Sequence, residues 1–266
     1  MDFEQINDKM KQKLILIFSV MLLCSCASRR SGWKLVWTEN FKGKTIDTES
    51  WTRVKKGTSD WDDMMSPRPD LAYIEDGQLV LLGKPGDSAN GDETPFVTGG
   101  VHSAGKKSFR MARYEVKAKF NSVNGFWPAL WLMPDSKMKD NDYAEVDLME
   151  HLNHEDKMYQ TLHSRYTLSG GKDIPQSAAS PIKKDEWNVY AAEIWPDSIC
   201  LFVNDSLTLT YPRVEGKDKQ FPWPDYPFYF ILSNQIGGTW VGPVNKPEEL
   251  PSELRVDWVK VYRRKE

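Results

Sequence analysis

Residues 141–154 read NDYAEVDLMEHLNH, a run in which the carboxylates Glu145, Asp147 and Glu150 interrupt the apolar series Val146, Leu148 and Met149. On a helix Glu145 and Asp147 would stand about 200° apart, on opposite faces. On a regular strand they share a face, but Glu150, an odd step further on, points to the other. One extra residue restores the parity. A β-bulge near Leu148-Met149 puts all three acids on one face and leaves Val146 and Leu148 on the opposite one. The segment therefore predicts a kinked strand that displays three acids on one side of a sheet.

The rest of the chain reads the same way. Short apolar, β-branched and aromatic runs recur at 33–37, 78–83, 112–120, 188–195, 199–204, 206–211, 226–233 and 254–262, several with period two. In 113–120 (RYEVKAKF) the apolar residues fall on even positions, as on a half-buried strand. In 255–262 the alternation slips at Trp258-Val259, as at a bulge or a strand covered on both faces. Asn204-Asp205 sits at hairpin spacing between two runs, and Asp76-Gly77 is a second turn signal. No long amphipathic helical stripe follows the N-terminal region. An all-β fold is expected, as a sandwich, jelly roll or barrel, with loops at 84–97, 134–142, 168–186 and 212–225 and no linker that would split it.

Lys+Arg number 35 and Asp+Glu 38, a near-balance that argues against a nucleic-acid partner. Ahead of the strands, residues 14–23 read LILIFSVMLL, too short to span a bilayer and preceded by Lys9, Lys11 and Lys13. Leu23-Cys24-Ser25-Cys26 resembles a bacterial lipobox, with Met10 as the expected start. Residues 1–25 are thus expected to be a lipoprotein signal peptide, Cys26 the lipidated residue, 26–32 a short tether and 33–266 the functional domain. This predicts a lipid-anchored protein of a Gram-negative cell envelope, periplasmic or at the outer-membrane surface, and a monomer. Removal of Cys24 and lipidation of Cys26 would leave Cys200 as the only thiol. Cys200 lies in an apolar run (ICLFV), so it is expected to pack rather than react, with no disulfide.

Three acids crowded on one face repel one another, which raises the pKa of at least one. An ionised carboxylate beside a protonated one is what two-carboxylate glycoside hydrolysis requires. A retaining enzyme places the outer pair roughly 5–5.5 Å apart. A charged edge strand and a metal site drawing on His151, His154 and His163 are the competing readings, although no paired-ligand spacing is present. Upstream, 124–134 (NGFWPALWLMP) brings Trp127 and Trp131 near the acids, either as platforms for sugar rings or as core. Downstream, 235–242 (QIGGTWVG) is a glycine-rich turn carrying Trp240, without the pattern or following helix of a phosphate loop.

These segments resemble glycoside hydrolase family 16. The resemblance is carried by Glu145-Val146-Asp147-Leu148-Met149-Glu150, by 125–131 (GFWPALW), by 192–197 (AEIWPD) with 202–205 (FVND), and by 256–262 (VDWVKVY). It implies a β-jelly-roll sandwich of two antiparallel sheets with a concave substrate cleft, and retaining endo-hydrolysis of a β-linked polysaccharide or O-glycan. It implies Glu145 as nucleophile, Glu150 as general acid/base and Asp147 as the assisting acid. His163 matches a histidine beside the acids, and Trp127, Trp131, Gln235 and Trp240 match cleft positions. No cofactor is required; Asp257 is the candidate ligand of a structural calcium on the convex face. Residues 139–144 (KDNDYA) depart from the laminarinase form, and 150–154, 159–164 and 237–242 look more like the endo-β-galactosidase branch, which cuts poly-N-acetyllactosamine in mucin-type O-glycans. A β-1,3- or mixed-linkage glucanase and a non-catalytic carbohydrate-binding lipoprotein are the alternatives.

Overall fold

The computed structural model describes residues 32–183 and 185–265. The expected signal peptide and the lipidation at Cys26 lie outside the described residues. Within them the protein is nearly all β, two antiparallel sheets packed face to face around a shared apolar core.

The cleft-bearing sheet runs β12 (Ser177–Pro181), β11 (Lys157–Ser164), β10 (Ala144–Glu150), β9 (Phe126–Pro134), β16 (Phe228–Ile236), β6 (Gly100–His102) and β2 (Thr52–Arg53), with β7 (Ser108–Phe109) pairing β16. The other sheet runs β15 (Ser206–Pro212), β14 (Ser198–Val203), β13 (Asn188–Ile194), β8 (Arg113–Phe120), β17 (Ser252–Arg264), β4 (Gln78–Pro85) and β3 (Ala72–Glu75). Off that path, β1 (Trp33–Glu39) pairs β17 and β5 (Phe96–Thr98) pairs β4. Alternate residues from both inner faces build the core: Tyr114, Val116 and Ala118 on one side, Val146, Leu162 and Phe230 on the other, all fully buried.

Turn chemistry follows the sequence. Asn204 (φ 47°) and Asp205 (φ 70°) are both left-handed, as a two-residue hairpin turn between β14 and β15 requires. Asp76 (φ 51°) and Gly77 (φ 70°) do the same between β3 and β4. The slip in β17 is a bulge: the register with β8 shifts between Val256 and Trp258. Within the expected 168–186 loop lies an unforeseen strand, β12. Its sequence, SAASP, has no large apolar residue to reveal alternation, and it is held by backbone pairing to β11 as an outer strand. The one-turn helix α1 (Arg165–Leu168) is closed by a capping box between Ser164 and Thr167.

Two expectations need correction. Cys200 is fully buried, as expected, but it is disulfide-bonded where no disulfide was expected. Asp257 does not fit a calcium site: its carboxylate is paired with Lys117 Nζ at 2.9 Å. No cluster of three His, Cys, Asp or Glu donors gathers around it among the described residues.

Candidate active site

The bulge in β10 falls where the acid spacing demands it. Three steps on β10, from Asp147 to Glu150, pass against two steps on each neighbour, from Trp131 to Ala129 on β9 and from Thr161 to Tyr159 on β11. Leu148 and Met149 both pack into the core, and Glu145, Asp147 and Glu150 all face one cavity of ≈ 480 Å³. The neighbouring strands line it with odd-numbered residues: Trp127, Ala129, Trp131 and Met133 from β9, and Tyr229, Ile231, Ser233 and Gln235 from β16.

Electrostatics separate the three acids. Asp147 is 2% exposed and hydrogen-bonds Glu145. Burial, with the Glu145 charge next to it, raises its pKa well above the usual carboxylate range. His163, opposite Glu145 on β11, brings Nε2 to 3.3 Å from Asp147 Oδ2. Glu150 accepts a hydrogen bond from Trp127 Nε1 at 3.1 Å. Burial, then the charge of Asp147, pushes its pKa up to about 9, against the opposing pull of the Trp127 hydrogen bond. Glu193 shows what an ordinary buried acid looks like in this fold: it meets Arg113 at 2.8 Å and Trp195 Nε1 at 3.0 Å. Among the described residues no guanidinium pairs with Asp147 or Glu150, and the cost of withdrawing them from water is left in the site.

Glu145 is held from both sides. Tyr143 donates its hydroxyl to Glu145 Oε2, and buried Trp223 donates Nε1 to the Glu145 carbonyl at 3.1 Å. Burial and the Glu145 charge raise the Tyr143 pKa, so the phenol remains a donor. Tyr143 was not foreseen as a site residue, although its place two residues before Glu145 puts it on the same face of the strand. Trp61, Ser59, Tyr229 and Ser233 also line the cavity unforeseen. Trp61 comes from an irregular loop whose sequence carries no periodicity, and it meets Trp131 edge-to-face at 4.9 Å.

The expected binding residues occupy different parts of the site. Trp131 is 8% exposed and forms floor, with Nε1 donating to Ser233 Oγ at 3.3 Å. Trp127 lines the wall. Gln235 is 1% exposed; its Nε2 donates to the carbonyls of Ile236 and Gly237, leaving Oε1 as an unused acceptor. Trp240 is not in the cavity: it stands 46% exposed at the rim, 5.5 Å from the Trp127 ring and 5.3 Å from Tyr159. The rim is tied at Asn153, whose Oδ1 accepts from Gly125 N at 2.7 Å and whose Nδ2 donates to the Val241 carbonyl at 3.0 Å. Gly125 must be glycine here, with φ 76° and an added Cβ falling 2.7 Å from Val244 Cγ2.

Of the three histidines, only His163 joins the acids. His151 Nε2 bonds the Glu155 carbonyl at 2.8 Å, and His154 pairs with Glu249 at 2.8 Å. A larger surface depression, ≈ 770 Å³, mixes Arg213, Lys217 and Lys219 with Asp140, Asp142 and Asp225. It has no buried acid, and chemistry is better placed in the smaller cavity.

A family model described as "Glycosyl hydrolases family 16" matches residues 71–260. The chain is 34% identical over 251 residues to a keratan-sulfate endo-1,4-beta-galactosidase from Sphingobacterium multivorum, covering 92% of this chain and 58% of that protein's length. It is 30% identical over 276 residues to a beta-glucanase from Rhodothermus marinus, covering 96% of each. Among solved structures, the laminarinase from Rhodothermus marinus superposes with a TM-score of 0.78 at 28% identity, over 88% of this chain and 98% of that one. A structure described under endo-acting O-glycanases of the human gut microbiota that initiate mucin breakdown superposes with a TM-score of 0.76 at 28% identity, over 87% and 100%. With the bulged triad of acids at the floor of its cleft, the chain belongs to family 16 of the glycosyl hydrolases.

Proposed function

We propose that this endo-acting glycoside hydrolase works by double displacement on internal β-galactosidic bonds of poly-N-acetyllactosamine chains, as in mucin-type O-glycans. The observation that carries the mechanism is the division of labour within one cavity: half-buried Glu150, its pKa pushed up to about 9, and Glu145 hydrogen-bonded on either side by Tyr143 and Asp147. A Glu145 oxygen attacks the anomeric carbon as Glu150 passes its proton to the departing glycosidic oxygen. Glu150 then takes a proton from water, whose oxygen displaces Glu145 and restores both groups. Asp147, whose raised pKa keeps its proton, donates a hydrogen bond to Glu145.

The galactosidase reading is supported by the 34% identity over 92% of this chain to the keratan-sulfate enzyme, and by the likeness to the O-glycanase structure. A second reading, β-1,3- or mixed-linkage glucan hydrolysis, is favoured by the match to the beta-glucanase over 96% of both chains. Incubation with keratan, mucin O-glycans, laminarin, mixed-linkage glucan and agarose, with products read by mass, separates them. Oligosaccharides ending in galactose at the new reducing end are expected. Release from laminarin alone would overturn the galactosidase reading and leave the mechanism standing.

Asp147→Asn is expected to lower kcat by about tenfold, the scale of one altered hydrogen bond, and by less than either glutamate substitution. The amide still donates to Glu145, as the protonated acid does. An equal or larger loss would reassign the roles of the three acids.

A further inference from the structure

We propose that Gln160 is a positioning residue that holds the catalytic bulge in register, by clamping it to a second bulge in the opposite sheet. This rests on the reading of Glu145, Asp147 and Glu150 as the catalytic apparatus. Gln160 sits on β11 between Met158 and Leu162 and is fully buried, an uncharged polar side chain in the middle of the core. It lies opposite the extra residue of β10, since Asp147 pairs Thr161 and Glu150 pairs Tyr159.

A bulge takes backbone groups out of the ladder, and a buried carbonyl without a donor costs about 1–3 kcal/mol. Gln160 Nε2 meets that demand by donating to the Leu148 carbonyl at 2.8 Å, at the point where β10 kinks. The same nitrogen reaches across the core to the Phe202 carbonyl at 3.3 Å, and Oε1 accepts from Thr208 Oγ1. Thr208 and Phe202 mark a second irregularity. Leu201 pairs Leu209 and Phe202 pairs Leu207, so Thr208 is the extra residue of β15, and its hydroxyl also lies 2.9 Å from the Leu201 carbonyl.

One amide therefore joins two kinks, one in each sheet. If the clamp is lost, the Leu148 carbonyl seeks another donor and the kink moves. The kink sets where Glu150 stands relative to Asp147, and misplacement on the scale of an ångström costs up to about a hundredfold in rate. A residue that only filled core volume would affect stability without touching the acids.

The test uses the full chain with Gln160→Met, which keeps length and removes the polar atoms, and Thr208→Val, which cuts only the far end. Carboxyl-carbon NMR titration follows Glu150 without substrate, and kinetics use whichever glycan the parent cleaves. For Gln160→Met a fall in kcat of about ten- to a hundredfold is expected, with KM within about threefold and the Glu150 titration shifted down by at least about half a pH unit. Thr208→Val should move both in the same direction by less. Met158→Ala, a neighbouring core truncation that makes no bond to the bulge, should lower the melting temperature and leave the Glu150 titration unchanged. If Gln160→Met does not fold, Thr208→Val decides alone. An unmoved Glu150 titration in every folded variant of these two positions overturns the proposal. A parent that cleaves no glycan would instead sink the functional reading, and the titration would still decide the clamp.

Discussion

Glu145→Gln should cut kcat by about ten thousand-fold or more, the scale seen when an enzyme loses its nucleophile, while melting temperature and oligosaccharide affinity stay near those of the parent. The amide has the volume of the carboxylate and keeps an oxygen to accept from Tyr143, so that hydrogen bond survives. What it lacks is an electron pair able to form the glycosyl ester. Glu145→Ala adds a sharper control. With the side chain gone, there is room beside the anomeric carbon for a small anion, and azide should restore turnover and yield a glycosyl azide of inverted configuration. The parent's hydrolysis product keeps the β configuration, so an azide product of opposite configuration marks the lost nucleophile; an inverting hydrolase would give inverted products with and without its second carboxylate. Near-parental turnover in Glu145→Gln would remove the proposed mechanism outright.

That experiment is defined by residues legible in the sequence, and the reason is local. The acids sit within six consecutive positions, and strand periodicity converts their spacing into a geometric demand that only a bulge satisfies. The same periodicity contains Tyr143, which a stricter application would have found. The strands with strong alternation, such as β8 and β17, were equally readable, and so were the turns at Asn204-Asp205 and Asp76-Gly77. What escaped comes from distance or from weak signal. β12 is made of small residues with no apolar face. Trp61 reaches the cleft from a loop with no periodicity, 70 positions before Trp131, which it touches. Gln160 looks like one polar residue among several in YQTLH; its role depends on a bulge in another sheet. Trp240 was readable as an exposed aromatic, but only the tertiary structure places it at the rim rather than in the floor.

The second large effect concerns pH. With the Glu150 pKa raised to about 9, kcat/KM should hold through neutrality and fall on the alkaline side near that value, as the general acid loses its proton. Glu150→Gln should remove about a hundred- to ten thousand-fold of the rate on natural glycans, and far less on aryl glycosides, whose leaving group needs no protonation. Stability must respond in step. Between the ordinary carboxylate range and pH 9 the folded chain keeps a proton at Glu150 that the unfolded chain has released. Folded molecules therefore bind more protons than unfolded ones across that window, and stability falls as pH rises through it. Asp147, raised for the same reasons, adds to the slope in the same direction. Replacing Glu150 by glutamine removes the group that must ionise in a buried site. The variant should therefore melt higher than the parent at pH 9 and lie closer to it at pH 5, trading activity for stability. A parent whose melting temperature stays flat from pH 5 to 9, with no alkaline limb, would mean that Glu150 ionises like an exposed glutamate. It could not then protonate a leaving group at neutral pH.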